Sequence, residues 1–157
     1  MLFRSVDRVF NLMHGPGGED GAIQGALQLM KVPVTGAGLL GSALSMDKVH
    51  SKWVWERRGI DTPPFVLLKQ GEELSGQVDN DWGLPLFVKP AGLGSSIGIT
   101  KVNDNAGLEN AISLARQYSE TVIIEPEIVG KEYFAGIIGG TVLRSEEHTS
   151  ELQSQFR

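Results

Sequence analysis

Apolar residues in this chain come in short runs whose spacing changes from segment to segment, and the spacing predicts the elements. Arg8–Met13 has the length and apolar content of a buried strand, and it runs straight into the glycine-rich turn His14-Gly15-Pro16-Gly17-Gly18-Glu19-Asp20-Gly21. Ile23, Ala26, Leu27 and Met30 follow at i, i+3, i+4 and i+7, which predicts an amphipathic helix from about Asp20 to Met30 with Asp20 near its start. Val32–Thr35 reads as a second short strand. Strand, helix, strand is the order of a parallel βαβ unit, whose ligands gather at the carboxyl ends of the strands, where His14 and Thr35-Gly36 lie.

Farther along, one helix is expected from about Ser42 to Arg58, with Met46, Val49, His50 and Trp53 on one face and Gly59 as its stop. Ile60-Asp61-Thr62-Pro63-Pro64 leaves it as an extended linker and the expected domain boundary. Apolar strands are expected at Phe65–Leu68, Leu86–Lys89, Ile97–Val102 and Val122–Glu125. A helix is expected at about Ala106–Tyr118, and a hairpin turning at Gly139-Gly140 between Tyr133–Ile138 and Thr141–Leu143. The fold class is therefore α/β in a partial amino-terminal βαβ lobe, and α+β in the rest of the chain.

Composition narrows the chemistry. The 157 residues contain no cysteine, which removes disulfides, thiolate nucleophiles and zinc knuckles, and His14, His50 and His148 are too scattered for a metal cluster. No apolar run reaches the roughly 18 residues of a membrane-spanning helix. A net charge of -5, with no basic run interleaved with aromatics, offers no general attraction to nucleic acid, so an anionic ligand must be small and locally held. A reducing cytosol fits these features.

The densest chemistry lies at Val88-Lys89-Pro90-Ala91-Gly92-Leu93-Gly94-Ser95-Ser96-Ile97-Gly98, a lysine at a strand end followed by a small-residue loop. Such a loop can turn backbone N–H groups toward a phosphate, Ser95 and Ser96 add hydroxyl donors, and Lys89 supplies a point charge. A tight hairpin with a solvated lysine has the same sequence signature. The choice between the two turns on a second segment, Val122-Ile123-Ile124-Glu125-Pro126-Glu127-Ile128-Val129-Gly130-Lys131-Glu132. After a buried strand, backbone groups from Glu125 to Ile128 can pair with the edge of a purine, and the Glu132 carboxylate can accept from ribose hydroxyls. Gly36-Ala37-Gly38-Leu39-Leu40-Gly41 matches GxGxxG, but the helix after it ends in a proline-rich linker without the acidic ribose partner, and no GxxxxGK[ST] loop occurs. His14, beside Glu19, suits orientation of a ligand carboxylate. Lys48 and Lys52 read as solvated helix residues, and Trp53, Trp55 and Trp82 as packing residues.

The two ends differ from the rest of the chain. Residues 144–157 resemble the translation of a sequencing-library adapter, and residues 1–5 the end of the opposite one. Both are read as non-native, His148 is expected to have no chemical role, and the chain is expected to be an internal piece of a longer protein.

Taken together, residues 8–143 resemble the D-alanine–D-alanine ligases of the ATP-grasp superfamily. The landmarks are His14-Gly15-x-Gly17-Gly18-Glu19-Asp20-Gly21, Thr35-Gly36-x-Gly38, Ser42-Ala43-Leu44-Ser45-Met46-Asp47-Lys48, Val88-Lys89-Pro90, Gly94-Ser95-Ser96-Ile97-Gly98 and Glu125-Pro126 with Gly130-x-Glu132, in the family's order. The resemblance implies that residues 6–62 end an amino-terminal substrate lobe with its linker helix and that 63–143 begin a central ATP-grasp lobe. It implies that Lys48 and Lys89 hold ATP phosphates under the loop of Gly94, Ser95 and Ser96, and that Glu125, Ile128 and Glu132 hold adenine and ribose. By the same likeness Ser95 is the catalytic serine that helps fix the first D-alanine, and His14 and Glu19 lie near that substrate.

The implied reaction is ATP-dependent ligation of two D-alanines for peptidoglycan, with Mg²⁺, in a cytoplasmic enzyme that is homodimeric as a whole. The family's opening glycine-rich segment and its carboxyl-terminal lobe, with the Asp, Glu and Asn metal ligands and an arginine, are not found in this sequence. No Mg²⁺ ligand is named here, and the chain is expected to be inactive alone. Competing readings are a D-alanine–D-lactate or D-serine ligase, whose second-substrate pocket belongs to the missing lobe, a non-catalytic nucleotide-binding module, and a piece that does not fold stably.

Overall fold

The computed structural model describes residues 6–74, 78, 82–143, 146 and 147. Residues 1–5, and those from 144 onward apart from 146 and 147, lie outside the described residues, and His148 with them. The described part falls into two compact units divided between Glu127 and Ile128.

In the first unit the expected βαβ opening is present in minimal form. Val9 and Val34 make a parallel bridge, closed by Val9 N to Pro33 O at 2.9 Å and Thr35 N to Val9 O at 3.0 Å. Neither flank extends into a full strand. Between them runs α1 (Ala22–Leu29), entered through Gly21 at φ 95°, where a side chain would meet Leu39 O at 2.9 Å. Asp20 stands just before it and accepts from the N–H groups of Gly17 and Ala22. Only Leu27 of the expected apolar face is buried. Gln24 is buried off that face because its amide donates to Gly18 O, while Met30 stays exposed.

The single helix expected from Ser42 to Arg58 is two helices, α2 (Leu39–Met46) and α3 (Lys48–Arg57). Asp47 divides them. Its backbone is extended (φ −92°, ψ 111°), and its carboxylate accepts from Val49 N and His50 N, capping α3. A new helix beginning at that cap rotates the buried face, so that Val49 and Lys52 point inward at i, i+3, and His50 and Trp53 point out. Trp53 and Trp55 are therefore surface residues, against expectation, while Trp82 packs against the core.

Beyond the linker lies a four-stranded antiparallel sheet in the order β1 (Val66–Lys69), β4 (Thr121–Pro126), β2 (Leu86–Pro90), β3 (Thr100–Val102). The strand expected from Ile97 shortens to start at Thr100, because Ser95, Ser96 and Gly98 all take positive φ and turn the chain first. Helix α4 (Leu108–Arg116) crosses one face and buries Leu108, Ala111, Ile112 and Ala115 against Leu68, Val88, Val122 and Ile124. The opposite face carries Ile123, which packs with Val49 of α3 and with Ala91. Central β4 is thus covered on both sides, and Val122, Ile123 and Ile124 are wholly buried.

The second unit contains two ribbons. Tyr133–Phe134 (β5) pairs with Glu146–Glu147 (β8), and Ile137–Ile138 (β6) pairs with Thr141–Val142 (β7) around Gly139 and Gly140 at φ 57° and 79°. The glycine pair supplies the two positive φ values that a tight hairpin needs, as the sequence led one to expect.

Candidate active site

Alternation along two neighbouring strands builds the site. Successive side chains of a strand point to opposite faces, so Ile123 and Glu125 of β4 share the α3 face, as do Phe87 and Lys89 of β2. The register sets Phe87 opposite Glu125 and Lys89 opposite Ile123, which puts Lys89 and Glu125 on a diagonal within reach of long side chains. The Lys89 ammonium donates to Glu125 Oε1. From above, Lys52 of α3 brings its ammonium to 2.8 Å from Glu125 Oε2, with both side chains less than a tenth exposed. The same ammonium donates to Thr62 Oγ1 at 2.9 Å and Pro63 O at 3.0 Å, and it lies 5.0 Å from the centre of the Phe65 ring. Lys52 is therefore a buried member of an ion cluster and not the solvated helix residue its position in the sequence suggested.

Burial pushes the Glu125 carboxyl up, but contact with Lys52 and Lys89 and the charges of both pull harder, so its pKa ends below the ordinary value. A carboxylate held between two ammonium groups stays ionised through the neutral range.

Lys48, the first residue of α3, is placed by a backbone bond from its own N–H to Ala91 O at 2.9 Å. Its half-buried ammonium donates to Pro90 O at 3.0 Å and to Leu93 O. Lys48 thus sits on the small-residue loop that the sequence singled out, and is not the solvated residue its helix position suggested. Its pKa is lowered, first by burial and then by the charge of Lys89, against the opposing charges of Glu125 and Asp47. Each lysine has three donors. Among the described residues Lys48 spends two on carbonyls and Lys89 one on Glu125, so both keep donors for an anion.

The loop itself is shaped for such a ligand. Ser95 and Ser96 occupy the left-handed region at φ 54° and 59°, where residues other than glycine are uncommon, and Gly94, Ser95 and Ser96 are exposed. Ile97 N donates to Gly94 O at 3.2 Å and Ile99 N to Ser96 O at 3.3 Å, closing two turns in succession. Gly98, at φ 69°, has no room for a side chain, since a Cβ would meet Tyr118 Cδ2 at 2.7 Å.

His14 is exposed with Nδ1 3.9 Å from Glu19 Oε1, and Glu19 Oε2 accepts from Gly15 N at 2.6 Å, so Glu19 also fixes the first glycine turn. Ile128 and Glu132 belong to the second unit. No group of three or more His, Asp and Glu side chains among the described residues is arranged to hold a metal. The described residues therefore do not fit a Mg²⁺ site. Lys52 is the member of the ion cluster that sequence reasoning missed. The available signal was Asp47, an N-cap residue inside an otherwise continuous helical pattern.

Comparison with known proteins shows the family. A family model described as "D-ala D-ala ligase C-terminus" matches residues 54–156, and one described as "D-ala D-ala ligase N-terminus" matches residues 2–37. The D-alanine–D-alanine ligase of Dechloromonas aromatica is 46% identical over 136 residues, which cover 87% of this chain and 45% of the relative. Among solved structures, the VanG D-Ala:D-Ser ligase of Enterococcus faecalis is similar at 39% identity with a TM-score of 0.82, over 90% of this chain and 43% of that one. The D-alanine–D-alanine ligase of Bacillus anthracis complexed with ATP is similar at 32% identity with a TM-score of 0.81, over 94% of this chain and 50% of that one. The chain spans about 45% of the length of the curated relative. With one family model matching residues 54–156 and a second matching residues 2–37, this chain belongs to the D-alanine–D-alanine ligase family.

Proposed function

We propose that this chain supplies the phosphate-gripping part of an ATP-dependent D-alanine–D-alanine ligase. In that reaction a D-alanine carboxylate oxygen takes the γ-phosphoryl group of ATP and ADP departs. The amine of a second D-alanine then attacks the acyl phosphate, and phosphate leaves as the peptide bond forms. The main physical demand is a clamp on migrating negative charge. The observation that carries the proposal is Lys48 seated on the carbonyls of Pro90 and Leu93, with Lys89 at the end of the same strand and the exposed turn of Gly94, Ser95 and Ser96 following.

In this assignment Lys48 and Lys89 grip the phosphates and the turn's N–H groups and hydroxyls complete the cradle. Glu125 contributes by holding Lys89 with its carboxylate, which leaves its backbone for adenine. The backbone after β4, Ile128 and Glu132 receive adenine and ribose, and Ser95, His14 and Glu19 attend the first D-alanine. Mg²⁺, if bound, would neutralise phosphate charge, and it would need protein ligands other than the described residues. A cytoplasmic location and a homodimeric whole protein belong to the same proposal. No helix among the described residues is long and apolar enough to cross a membrane.

The test is calorimetric titration of the chain with ATP. Saturable binding that Lys89→Met abolishes is the expected result, and a titration without heat in the parent chain removes the assignment. The purified chain is expected to release no phosphate from ATP and D-alanine, and sustained release would show that it is catalytically sufficient. The likeness to a D-Ala:D-Ser ligase favours one second reading, in which the acceptor is D-serine. Competition of D-serine against D-alanine in the whole enzyme separates the two.

A further inference from the structure

The Lys52 ammonium pairs with Glu125 Oε2 and donates to Thr62 Oγ1 and Pro63 O, and its side chain is only 7% exposed, so it is withdrawn from any ligand. Its geometry points to another task. If Glu125 faced Lys89 alone, the two would form a neutral pair, and Lys89 would have little net charge to offer an anion. With Lys52 on the second oxygen, two ammonium groups share one carboxylate and the cluster carries a net charge of one positive unit. That surplus lies toward Lys89, whose side chain is 23% exposed against 7% for Lys52. Low dielectric around the buried end keeps Lys52 and Glu125 together, while the outer end stays available to a ligand.

We propose that Lys52 is a positioning residue that satisfies Glu125 from behind and thereby leaves Lys89 with a usable charge for the phosphates of a nucleotide. The proposal rests on the nucleotide reading above for its ligand, but the state of Lys89 can be measured without one.

The experiment uses the full 157-residue chain with ¹⁵N-labelled lysine, titrated with ATP, in the parent and in Lys52→Met, Lys52→Arg, Glu125→Gln and the Lys52→Met/Glu125→Gln double variant. The Lys89 ammonium resonance is identified by its loss in Lys89→Met. Lys52→Met is expected to weaken ATP binding about tenfold, within the range that coupled charge pairs show, and to shift the Lys89 resonance, while Lys52→Arg keeps both near the parent. Removing the carboxylate frees Lys89 again, so the double variant binds ATP more tightly than Lys52→Met and as tightly as Glu125→Gln alone. A merely structural role would make the double variant the weakest of the set. A double variant weaker than Glu125→Gln, or an unmoved Lys89 resonance in Lys52→Met, overturns the proposal. If Lys52→Met does not fold, the comparison of the double variant with Glu125→Gln still decides it. A parent chain that binds no ATP defeats the nucleotide reading, and the Lys89 resonance then decides the role of Lys52 separately.

Discussion

The ammonium of Lys52, on the underside of α3, stands 2.8 Å from Oε2 of Glu125 in the central strand of the sheet, and both side chains are almost fully withdrawn from water. This contact fastens helix to sheet through charge, at a place where Val49 and Ile123 fasten them through apolar burial. It has consequences for stability, for pH dependence and for the site above it.

Loss of the carboxylate charge should be costly. Glu125→Gln leaves two buried or half-buried ammonium groups without their counter-ion, and breaking a buried pair by removing one partner costs about 3–5 kcal/mol. Urea unfolding at pH 7 is expected to show a midpoint well below that of the parent with an unchanged slope.

Acid should act through the same group. The Glu125 carboxyl is held below its ordinary value near 4.5, so the folded state binds this proton less readily than the unfolded chain does. Its stabilising contribution is complete above that value and is lost as pH falls through the lower, folded pKa. Melting temperatures from pH 7 down to pH 2 should fall in the parent. The Glu125→Gln variant starts lower but should have a flatter acid limb. Parallel limbs would show that Glu125 does not drive the acid transition.

Lys48 sets the opposite limb. Its pKa is lowered by burial and then by Lys89, so its charge is lost at lower pH than that of an ordinary lysine. ATP affinity is expected to weaken as pH rises through that lowered value, and Lys48→Arg, which stays charged, should move the weakening to higher pH. Dissociation constants measured across the alkaline range give the answer. An identical pH profile in the two proteins would remove Lys48 from the phosphate clamp.

Two glycines of the loop should respond unequally to one added methyl group. Gly98→Ala places a Cβ 2.7 Å from Tyr118 Cδ2 at a positive φ, and strain of this kind costs on the order of 1–3 kcal/mol. Gly92→Ala meets nothing within 4 Å and is expected to stay within about 0.5 kcal/mol of the parent. Paired thermal melts distinguish the two.

The cap between α2 and α3 is open to the same approach. Asp47→Ala removes the acceptor for Val49 N and His50 N and should cost about 1 kcal/mol. Because Lys48 and Lys52 lie in the first turns of α3, the change is also expected to loosen ATP binding, and Asp47→Asn, which can still cap, should restore it.

Much of this molecule was written in local pattern. The runs around Leu68, Val88 and Ile124 specified strands because four to six consecutive apolar or β-branched residues suit a sheet buried on both faces, and Gly139-Gly140 specified a hairpin because two positive φ values in succession suit little else. Lys89 and the glycine-serine loop were also legible, since their chemistry lies in adjacent residues. The burial of Lys52 and the outward turn of Trp53 were not. Each depends on which face of a helix meets which face of a sheet, and a short helix of mixed polarity does not encode that choice by itself. Only the pairing of β2 with β4 brings Glu125 beside Lys89, and only the packing of α3 across them supplies the second cation. Ionic contacts between residues far apart in sequence become specific once the backbone has fixed their distance, because electrostatic attraction favours any nearby opposite charge and leaves the choice of partner to the fold.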